Sequence, residues 1–597
     1  MPKNIINDFS LTIATVNGSG SQTANVTLVR ALFKMGIPVS GKNLFPSNIQ
    51  GLPTWYTIRI SKDGFIARRD EQEIVVTLNP ASFSRDLASV QTGGVFFYAD
   101  DIKLPINRTD ITVYQMPVKQ MSRAANVSVG LRDYIANMVY VGILAQMLGI
   151  DLDTIKQALN FHFKGKTQAV ESNYSSIKLA ADWAAQNLKK SDPYSVKRMD
   201  STSDYIMADG NTAAAIGSIY GGVQFAAWYP ITPASTLAET LNVYLPQLRK
   251  TGDGKQTYAV LQAEDELAAI GMAIGAGWGG LRSMTSTSGP GISLMSEYVG
   301  LAYYAEVPVV IWDVQRIGPS TGLPTRTSQG DLTAVYYISH GDKQNVILLP
   351  GSVYECFEFG WKALDLAEQL QSPVFVLSDL DLGMNQWMTK PFDYPDTPIK
   401  RGKVLWEADL ERLKGIWSRY KDIDEDGIPF RTVPGNKHPA AAWLGRGTGH
   451  DEDARYTEDA QAWERNMTRL KIKYNTARTL VPKPVIKSSK GSAIGVIYYG
   501  STGPAVEEAL SSLKRAVGLK TASLRLRALP CTDEVQDFIK KYERIYIVEA
   551  NRDGQLRQIL NSLMPDLASR FRSVCHSDGL PLTAKWVKES ILAQEEK

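Results

Sequence analysis

From Phe9 to Val16 apolar and polar side chains alternate, a glycine turn follows, and from Gln22 to Met35 the apolar positions recur along one helical face. Runs of β-branched and aromatic residues at Thr54 to Ile60, Ile74 to Leu78, Gly94 to Tyr98 and Ile111 to Gln115 predict further strands, and Tyr134 to Leu148 a helix. Residues 1–190 therefore read as an α/β domain. The stretch 191–203 is polar, contains Pro193 and has no period, which predicts a linker. Over 204–390 short, apolar strands (Val223 to Trp228, Tyr258 to Gln262, Arg282 to Thr285, Val307 to Trp312, Asn345 to Leu349, Val374 to Leu377) alternate with helical patterns at Ala213 to Gly222, Leu267 to Trp278, Ser293 to Tyr304 and Val353 to Leu370. Strands apolar on both faces, separated by helices, predict a parallel sheet covered on both sides, with ligands at its carboxyl edge. The pattern breaks down over 391–488, which is charged and rich in proline and tryptophan, with helical patches at Glu407 to Tyr420 and Asp459 to Lys473; it reads as a long surface connection. Over 489–597 the alternation returns (strands Ile494 to Tyr499, Ala522 to Leu526 and Ile545 to Val548; helices Pro504 to Ala516 and Thr532 to Tyr542), which predicts a compact final α/β domain.

A chain of 597 residues exceeds what one core supports, in line with several domains. Its formal charge of +3 implies neither nucleic acid nor an acidic membrane surface as partner. Cys356, Cys531 and Cys575 lie far apart without a Cys-x-x-Cys pair, which argues against a disulfide framework or an iron–sulfur cluster held by this chain alone, and for a reducing compartment. The apolar run Leu267 to Leu281 is short and contains five glycines between Glu266 and Arg282, so it reads as a buried helix; the opening MPKNIINDFS lacks the apolar core of a secretion signal. A cytoplasmic protein is expected.

Candidate chemistry begins at Tyr229-Pro230-Ile231-Thr232-Pro233. Two prolines hold Thr232 in a stiff turn, and Ser235 or Thr236 is expected to cap the helix that follows, which would suit an anionic ligand. The segment Ser286 to Gly291, including Ser288 and Gly289, predicts a glycine-rich loop that a ligand can approach closely. Gln315 to Thr325 places Arg316, a planar fork for a carboxylate, beside hydroxyls at Ser320, Thr321 and Thr325 on a proline-stiffened backbone. Glu266 opens the apolar helix and is expected to be desolvated, with raised proton affinity. Gly18-Ser19-Gly20-Ser21-Gln22-Thr23 has the strand–turn–helix context of a phosphate cradle. Its dinucleotide version fails, because Thr23 stands where the third glycine belongs and no acidic residue occurs between Asp8 and Asp63. A structural turn or contact with another phosphate-bearing ligand is left. Asp422-x-Asp424-x-Asp426-Gly427 imitates a calcium loop, but Val433 occupies the glutamate position, so a solvated turn is expected.

Taken together, Tyr229 to Pro233, the Glu266 helix, Ser286 to Gly291 and Gln315 to Thr325 resemble the alpha subunits of 2-oxoacid:ferredoxin oxidoreductases, most closely the 2-oxoglutarate type. The N-terminal domain resembles that family's gamma subunit, here fused ahead of alpha. The middle one resembles its thiamine-pyrimidine domain, and the last, with Glu549 to Leu556, a transketolase-C-like domain. The resemblance implies conversion of a 2-oxoacid and coenzyme A to acyl-CoA and carbon dioxide, with electrons passing through an iron–sulfur cluster to ferredoxin, in either direction. It also implies roles. Glu266 would bond the pyrimidine ring of thiamine diphosphate; Tyr229, Pro230, Ile231, Thr232, Ser288 and Gly289 would line the cofactor. Arg316 would clamp the substrate carboxylate, with Thr321 and Thr325 nearby, and Lys103 or Lys119 would be the lysine offered by the gamma-like domain.

The family's diphosphate and magnesium motif is missing. Gly252-Asp253-Gly254 begins like it but sits in a polar stretch without the asparagines, and is expected to be a turn. The resemblance thus implies a beta subunit bearing Mg2+, the diphosphate site and a [4Fe-4S] cluster, in a dimer of heterodimers. Pyruvate or branched 2-oxoacids stay open as substrates. A non-catalytic subunit that docks coenzyme A or a partner, a self-contained thiamine decarboxylase and an NAD-dependent dehydrogenase remain as rival readings.

Overall fold

The computed structural model describes residues 4–46, 51–124, 132–249 and 252–596. Met1, Pro2 and Lys3, part of the opening segment expected to lack the apolar core of a secretion signal, lie outside the described residues.

The N-terminal unit is built on a six-stranded sheet in the order Val39–Leu44, Pro53–Ser61, Asp8–Val16, Gln72–Thr77, Val90–Ala99, Thr112–Met116. Its central strand pairs antiparallel with Pro53–Ser61 and parallel with Gln72–Thr77. Leu11 and Ile13 are fully buried under the helices Ser21–Lys34 and Arg132–Leu148. The strand Val39–Leu44 was not predicted, because Ser40, Gly41, Lys42 and Asn43 carry no apolar signal. Its polar side chains are buried by partners elsewhere: Ser40 donates to the Ile66 carbonyl and Lys42 to Asp381. The linker reading of 191–203 also needs correcting. Tyr194–Ser195 pairs with Ile5–Ile6, and Tyr194 and Val196 are buried, so this segment is stitched to the N-terminal unit.

At the centre lies a seven-stranded sheet ordered Ala259–Gln262, Phe225–Trp228, Ser283–Thr287, Val309–Gln315, Pro373–Asp379, Val346–Leu348, Ala528–Leu529. Its first six strands run parallel, as continuous apolar strands require. The last is antiparallel and comes from the polypeptide of the C-terminal unit. Two strands extend beyond the sequence reading: Ser286 and Thr287 belong to Ser283–Thr287, and Gln315 ends Val309–Gln315.

The C-terminal unit has a five-stranded sheet in the order Val485–Lys487, Thr521–Arg525, Ile494–Tyr498, Arg544–Glu549, Phe571–Cys575. Its core merges with that of the central sheet: Ile497, Leu524 and Ile547 share one cluster with Ile311 and Leu377.

Residues 391–488 are not merely a surface connection. The helix Ala460–Leu480 buries Arg469 and Lys473, which meet the fully buried Glu306 at 2.8 and 2.7 Å. The other helix there is shorter than the pattern implied, Glu407–Arg412. In the aspartate-rich turn, Lys403 sits 2.7 Å from Asp424 and 2.8 Å from Asp426, so a lysine ammonium supplies the positive charge. Gly252 to Gly254 is a turn in open space.

Candidate active site at the carboxyl edge of the central sheet

Three segments converge where the central strands end. After Phe225–Trp228 the chain turns through Tyr229 and Pro230, both exposed, to Thr232. The sequence expectation of a cap at Ser235 or Thr236 does not hold: the helix Ser235–Leu248 has no side-chain cap bond. Instead the Ser235 hydroxyl accepts from the Ile231 amide at 3.0 Å and donates to the Ile231 carbonyl at 3.2 Å, tying the turn to itself. Thr236 accepts a bond from the Asn211 side chain at 2.7 Å.

The second segment begins with Arg316, one residue past the end of Val309–Gln315. Its guanidinium is buried and donates to the Thr232 carbonyl at 2.7 Å. The two residues singled out from separate motifs are therefore in direct contact. Gln315 braces this corner, donating to the Ser378 carbonyl at 3.0 Å and accepting from the Asp331 amide at 3.1 Å.

The third segment is the turn at Ser288. The loop expected over Ser286 to Gly291 is shorter than that, since the strand runs to Thr287 and a helix of six residues, Gly289–Leu294, starts at once. Close approach is the reason for glycine here. A methyl group on Gly291 would overlap the Thr287 hydroxyl and come within 2.7 Å of Glu266 Cγ, and one on Gly289 would meet Asp331 Oδ2 at 2.8 Å. Glu266 is 7 % exposed in the first turn of Glu266–Trp278, whose N-terminus Asp265 caps by accepting from the Ala268 amide at 2.7 Å. Among the described residues, the buried hydroxyls of Ser286 and Ser288 have no hydrogen-bond partner.

Thr325 is buried and donates to the Phe45 carbonyl at 2.7 Å, so the Arg316 loop is seated on the N-terminal unit; Thr321 is exposed. Lys103 and Lys119 are exposed; the Lys103 ammonium donates to the Asp100 carbonyl at 2.7 Å, and the Lys119 backbone amide donates to the Asp100 carboxylate at 2.9 Å. Sequence reasoning missed Lys42, which is buried, lies 2.6 Å from Asp381 and stacks over Trp387. With Arg68, Arg85, Thr325 and Thr327 it lines a cavity of about 160 Å³ between the N-terminal and central units. The signal was present as a lone lysine in a strand flanked by Gly41 and Asn43, but nothing local marks its burial. The glycine turn of the N-terminal unit opens on a larger cleft with Gly18, Ser19, Lys119 and Arg123 on its walls.

Residues 216–397 match the family described as pyruvate flavodoxin/ferredoxin oxidoreductase, thiamine diP-bdg, and residues 10–183 match pyruvate ferredoxin/flavodoxin oxidoreductase. The 2-oxoacid:ferredoxin oxidoreductase 1 subunit alpha of Sulfurisphaera tokodaii is 31 % identical over 78 % of this chain and 79 % of its own. The chain belongs to the alpha subunits of the 2-oxoacid:ferredoxin oxidoreductases. Another relative of this alpha subunit, the 2-oxoglutarate synthase subunit KorA of Methanothermobacter marburgensis, is 35 % identical over 59 % of this chain and 88 % of its own. Among solved structures, 2-oxoglutarate:ferredoxin oxidoreductase from Magnetococcus marinus, with 2-oxoglutarate, coenzyme A and succinyl-CoA bound, superposes with a TM-score of 0.88 at 28 % identity, covering 98 % of this chain and 99 % of that one. The fold is thus the mixed α/β architecture of an oxidoreductase subunit with a thiamine-diphosphate-binding domain. Of the alpha subunit's three cysteines, Cys356 lies in the helix Val353–Leu370, Cys531 in the loop after Ala528–Leu529 and Cys575 at the end of Phe571–Cys575, and among the described residues no helix is long and apolar enough to cross a membrane.

Proposed function

We propose that this alpha subunit, with its fused gamma-type domain, carries the pyrimidine half of a thiamine diphosphate site and the substrate clamp of a 2-oxoglutarate:ferredoxin oxidoreductase. The reaction joins 2-oxoglutarate, coenzyme A and two oxidised ferredoxins to give succinyl-CoA, carbon dioxide, two reduced ferredoxins and a proton. The observation that carries this reading is the 2.7 Å bond from Arg316 to the Thr232 carbonyl, which unites the carboxylate fork with the proline turn one strand away from Glu266. A buried carboxylate at a helix start, facing a glycine cradle that any Cβ would fill, fits the pyrimidine ring of thiamine. When bound, thiamine diphosphate supplies the carbanion chemistry. Glu266 holds the ring; Tyr229 to Thr232, Ser288 and Gly289 line it; Arg316 orients the 2-oxoacid carboxylate, with Thr325 holding the loop to the N-terminal unit. Lys42 replaces Lys103 and Lys119 as the lysine that the gamma-type domain offers the substrate, because it shares a cavity with Thr325.

The names of the Magnetococcus and Methanothermobacter proteins support 2-oxoglutarate over pyruvate or a branched 2-oxoacid. The cleft with Gly18, Ser19, Lys119 and Arg123 suits a phosphate-bearing cosubstrate such as coenzyme A. A beta subunit brings Mg2+, the diphosphate site and a [4Fe-4S] cluster, in an (alpha-beta)2 assembly. Leu267, Met272, Trp278, Leu294 and Leu301, all large and exposed around the Glu266 helix, give it an apolar face to cover. A reducing cytoplasm suits three free thiols.

The test is to copurify the native complex and assay coenzyme A-dependent ferredoxin reduction with a panel of 2-oxoacids. Arg316→Ala is expected to raise KM for the 2-oxoacid by about ten- to a hundredfold, the effect of losing a charge-assisted bond. Unchanged kinetics in Arg316→Ala would sink the clamp, and preference for pyruvate would sink the 2-oxoglutarate assignment.

A further inference from the structure

The chain leaves the central sheet at Arg316 and comes back to it at Asp331, and the return leg of that loop lies along the C-terminal unit. Both neighbours of Arg316 are tied to this leg: the Ile317 amide donates to the Arg326 carbonyl at 3.1 Å, and the Gln315 side chain accepts from the Asp331 amide at 3.1 Å. The position of the leg therefore sets the position of Arg316.

Within the leg, Gln329 is buried, and each of its polar groups is met from the C-terminal unit. Its backbone amide donates to the Ala550 carbonyl at 2.8 Å and its carbonyl accepts from the Asn551 side chain at 3.0 Å. Its side chain accepts from the Ala550 amide and donates to the Tyr499 carbonyl, both at 2.9 Å. One residue on, the Gly330 carbonyl accepts from the Gln555 side-chain nitrogen at 2.6 Å, and the Gln555 side-chain oxygen accepts from the Thr333 amide at 2.9 Å.

Tyr499 apart, these partners belong to one turn, residues 549–556, which leads from the strand Arg544–Glu549 into the helix Gln555–Leu563. The turn is braced from within. The fully buried Glu549 carboxylate accepts from the Asn551 side chain at 2.9 Å and from the Leu556 amide at 2.7 Å, while the Asn551 oxygen accepts from the Gly554 amide at 2.8 Å. Gly554 has a φ of 66°, which glycine adopts without steric cost. A helix start needs a cap and no more. The nitrogens of Asn551 and Gln555 instead reach out of the turn, to backbone carbonyls of the clamp loop.

We propose that the turn at residues 549–556 is a positioning element for the 2-oxoacid clamp: through Asn551 and Gln555 it fixes the return leg at Gln329 and Gly330, and thereby the direction in which Arg316 presents its guanidinium. Asn551 and Gln555 are positioning residues that act through Arg316. This rests on the reading of Arg316 as the substrate clamp.

The experiment uses the assembled complex and a double-mutant cycle between Gln555→Met and Arg316→Ala, with kcat and KM measured for the 2-oxoacid that the complex prefers and KM for coenzyme A. Gln555→Met keeps the length of the side chain and loses both bonds. It is expected to raise KM for the 2-oxoacid by about three- to tenfold, the effect of losing neutral hydrogen bonds, with kcat within about twofold and KM for coenzyme A unchanged. In the Arg316→Ala background the same substitution is expected to change KM by less than about twofold, because the group it positions is gone. A native KM in Gln555→Met overturns the proposal, as does a loss that spreads equally to coenzyme A. So does an undiminished effect in the Arg316→Ala background, which a merely structural role would give. Gln555→Glu still accepts from Thr333 but no longer donates to Gly330; it should match Gln555→Met, a native KM there also overturns the proposal, and this variant decides if Gln555→Met does not assemble. Native kinetics in Arg316→Ala would fault the clamp reading itself, whereas an impaired Arg316→Ala beside a native-like Gln555→Met faults only the positioning role.

Discussion

At the scale of single residues, the site depends on what is left out as much as on what is present. Gly291 leaves room for the Glu266 side chain and the Thr287 hydroxyl at once, so Gly291→Ala has to move one of them. That variant is expected to lower kcat/KM by at least about tenfold, because about 1 Å of misplacement in a reacting constellation has effects of this size, with a melting temperature within a few degrees of native. Steady-state kinetics beside thermal unfolding checks both halves. Thr232 and Arg316 were legible in the sequence because prolines and glycines fix backbone in ways that register locally. Lys42 was not, and neither was the complete burial of Asp313 on the strand Val309–Gln315. A lysine in a polar strand and an aspartate in an apolar one reveal their burial only when a distant element covers them.

At the scale of elements, the contrast is between strands and the charged insertion. Apolar runs of four to six residues predict the six parallel strands of the central sheet, because a parallel strand is buried on both faces wherever it pairs, whereas the two-residue antiparallel edge Ala528–Leu529 is too short to leave such a run. The insertion 391–488 looked solvated because its charges are many, yet some are held in the interior. Burial alone would raise Glu306; Arg469 and then Lys473 overcome it and hold the carboxylate at about 2. Its folded value lies below the ordinary 4.5, so the contribution is complete above that value and is lost as the pH falls from there toward 2. Glu306→Ala leaves two cations buried without their counter-charge and is expected to cost about 3–5 kcal/mol. Chemical denaturation followed through the tryptophans of the insertion measures it, and the penalty should shrink below pH 4.5.

At the scale of the whole molecule, three sheets meet around one site. Lys42 of the first sheet bonds Asp381 beyond the end of a central strand, Thr325 bonds Phe45, and Thr583 of the C-terminal unit donates to Asp70 at 2.6 Å. Lys42→Ala strands the buried Asp381 carboxylate; calorimetry is expected to find a lower melting transition, with the N-terminal unit unfolding ahead of the rest. A single unshifted transition would show that this tie contributes little. The sequence divides into α/β units by its own periodicity, but none of these cross-ties is written in it, since each joins residues hundreds of positions apart.

The antiparallel strand Ala528–Leu529 closes the edge of a sheet whose neighbouring strand, Val346–Leu348, is translated 180 residues earlier. At ribosomal speeds of ~5–20 residues per second, that edge waits roughly 10–40 s for its cover. A nascent chain at this stage exposes unpaired backbone at the edge of an apolar sheet, the kind of surface that recruits a second copy of itself. Slow codons or a truncated message within residues 380–527 would therefore leave ribosome-bound aggregates, even though the strands and turns of the candidate site had already been made.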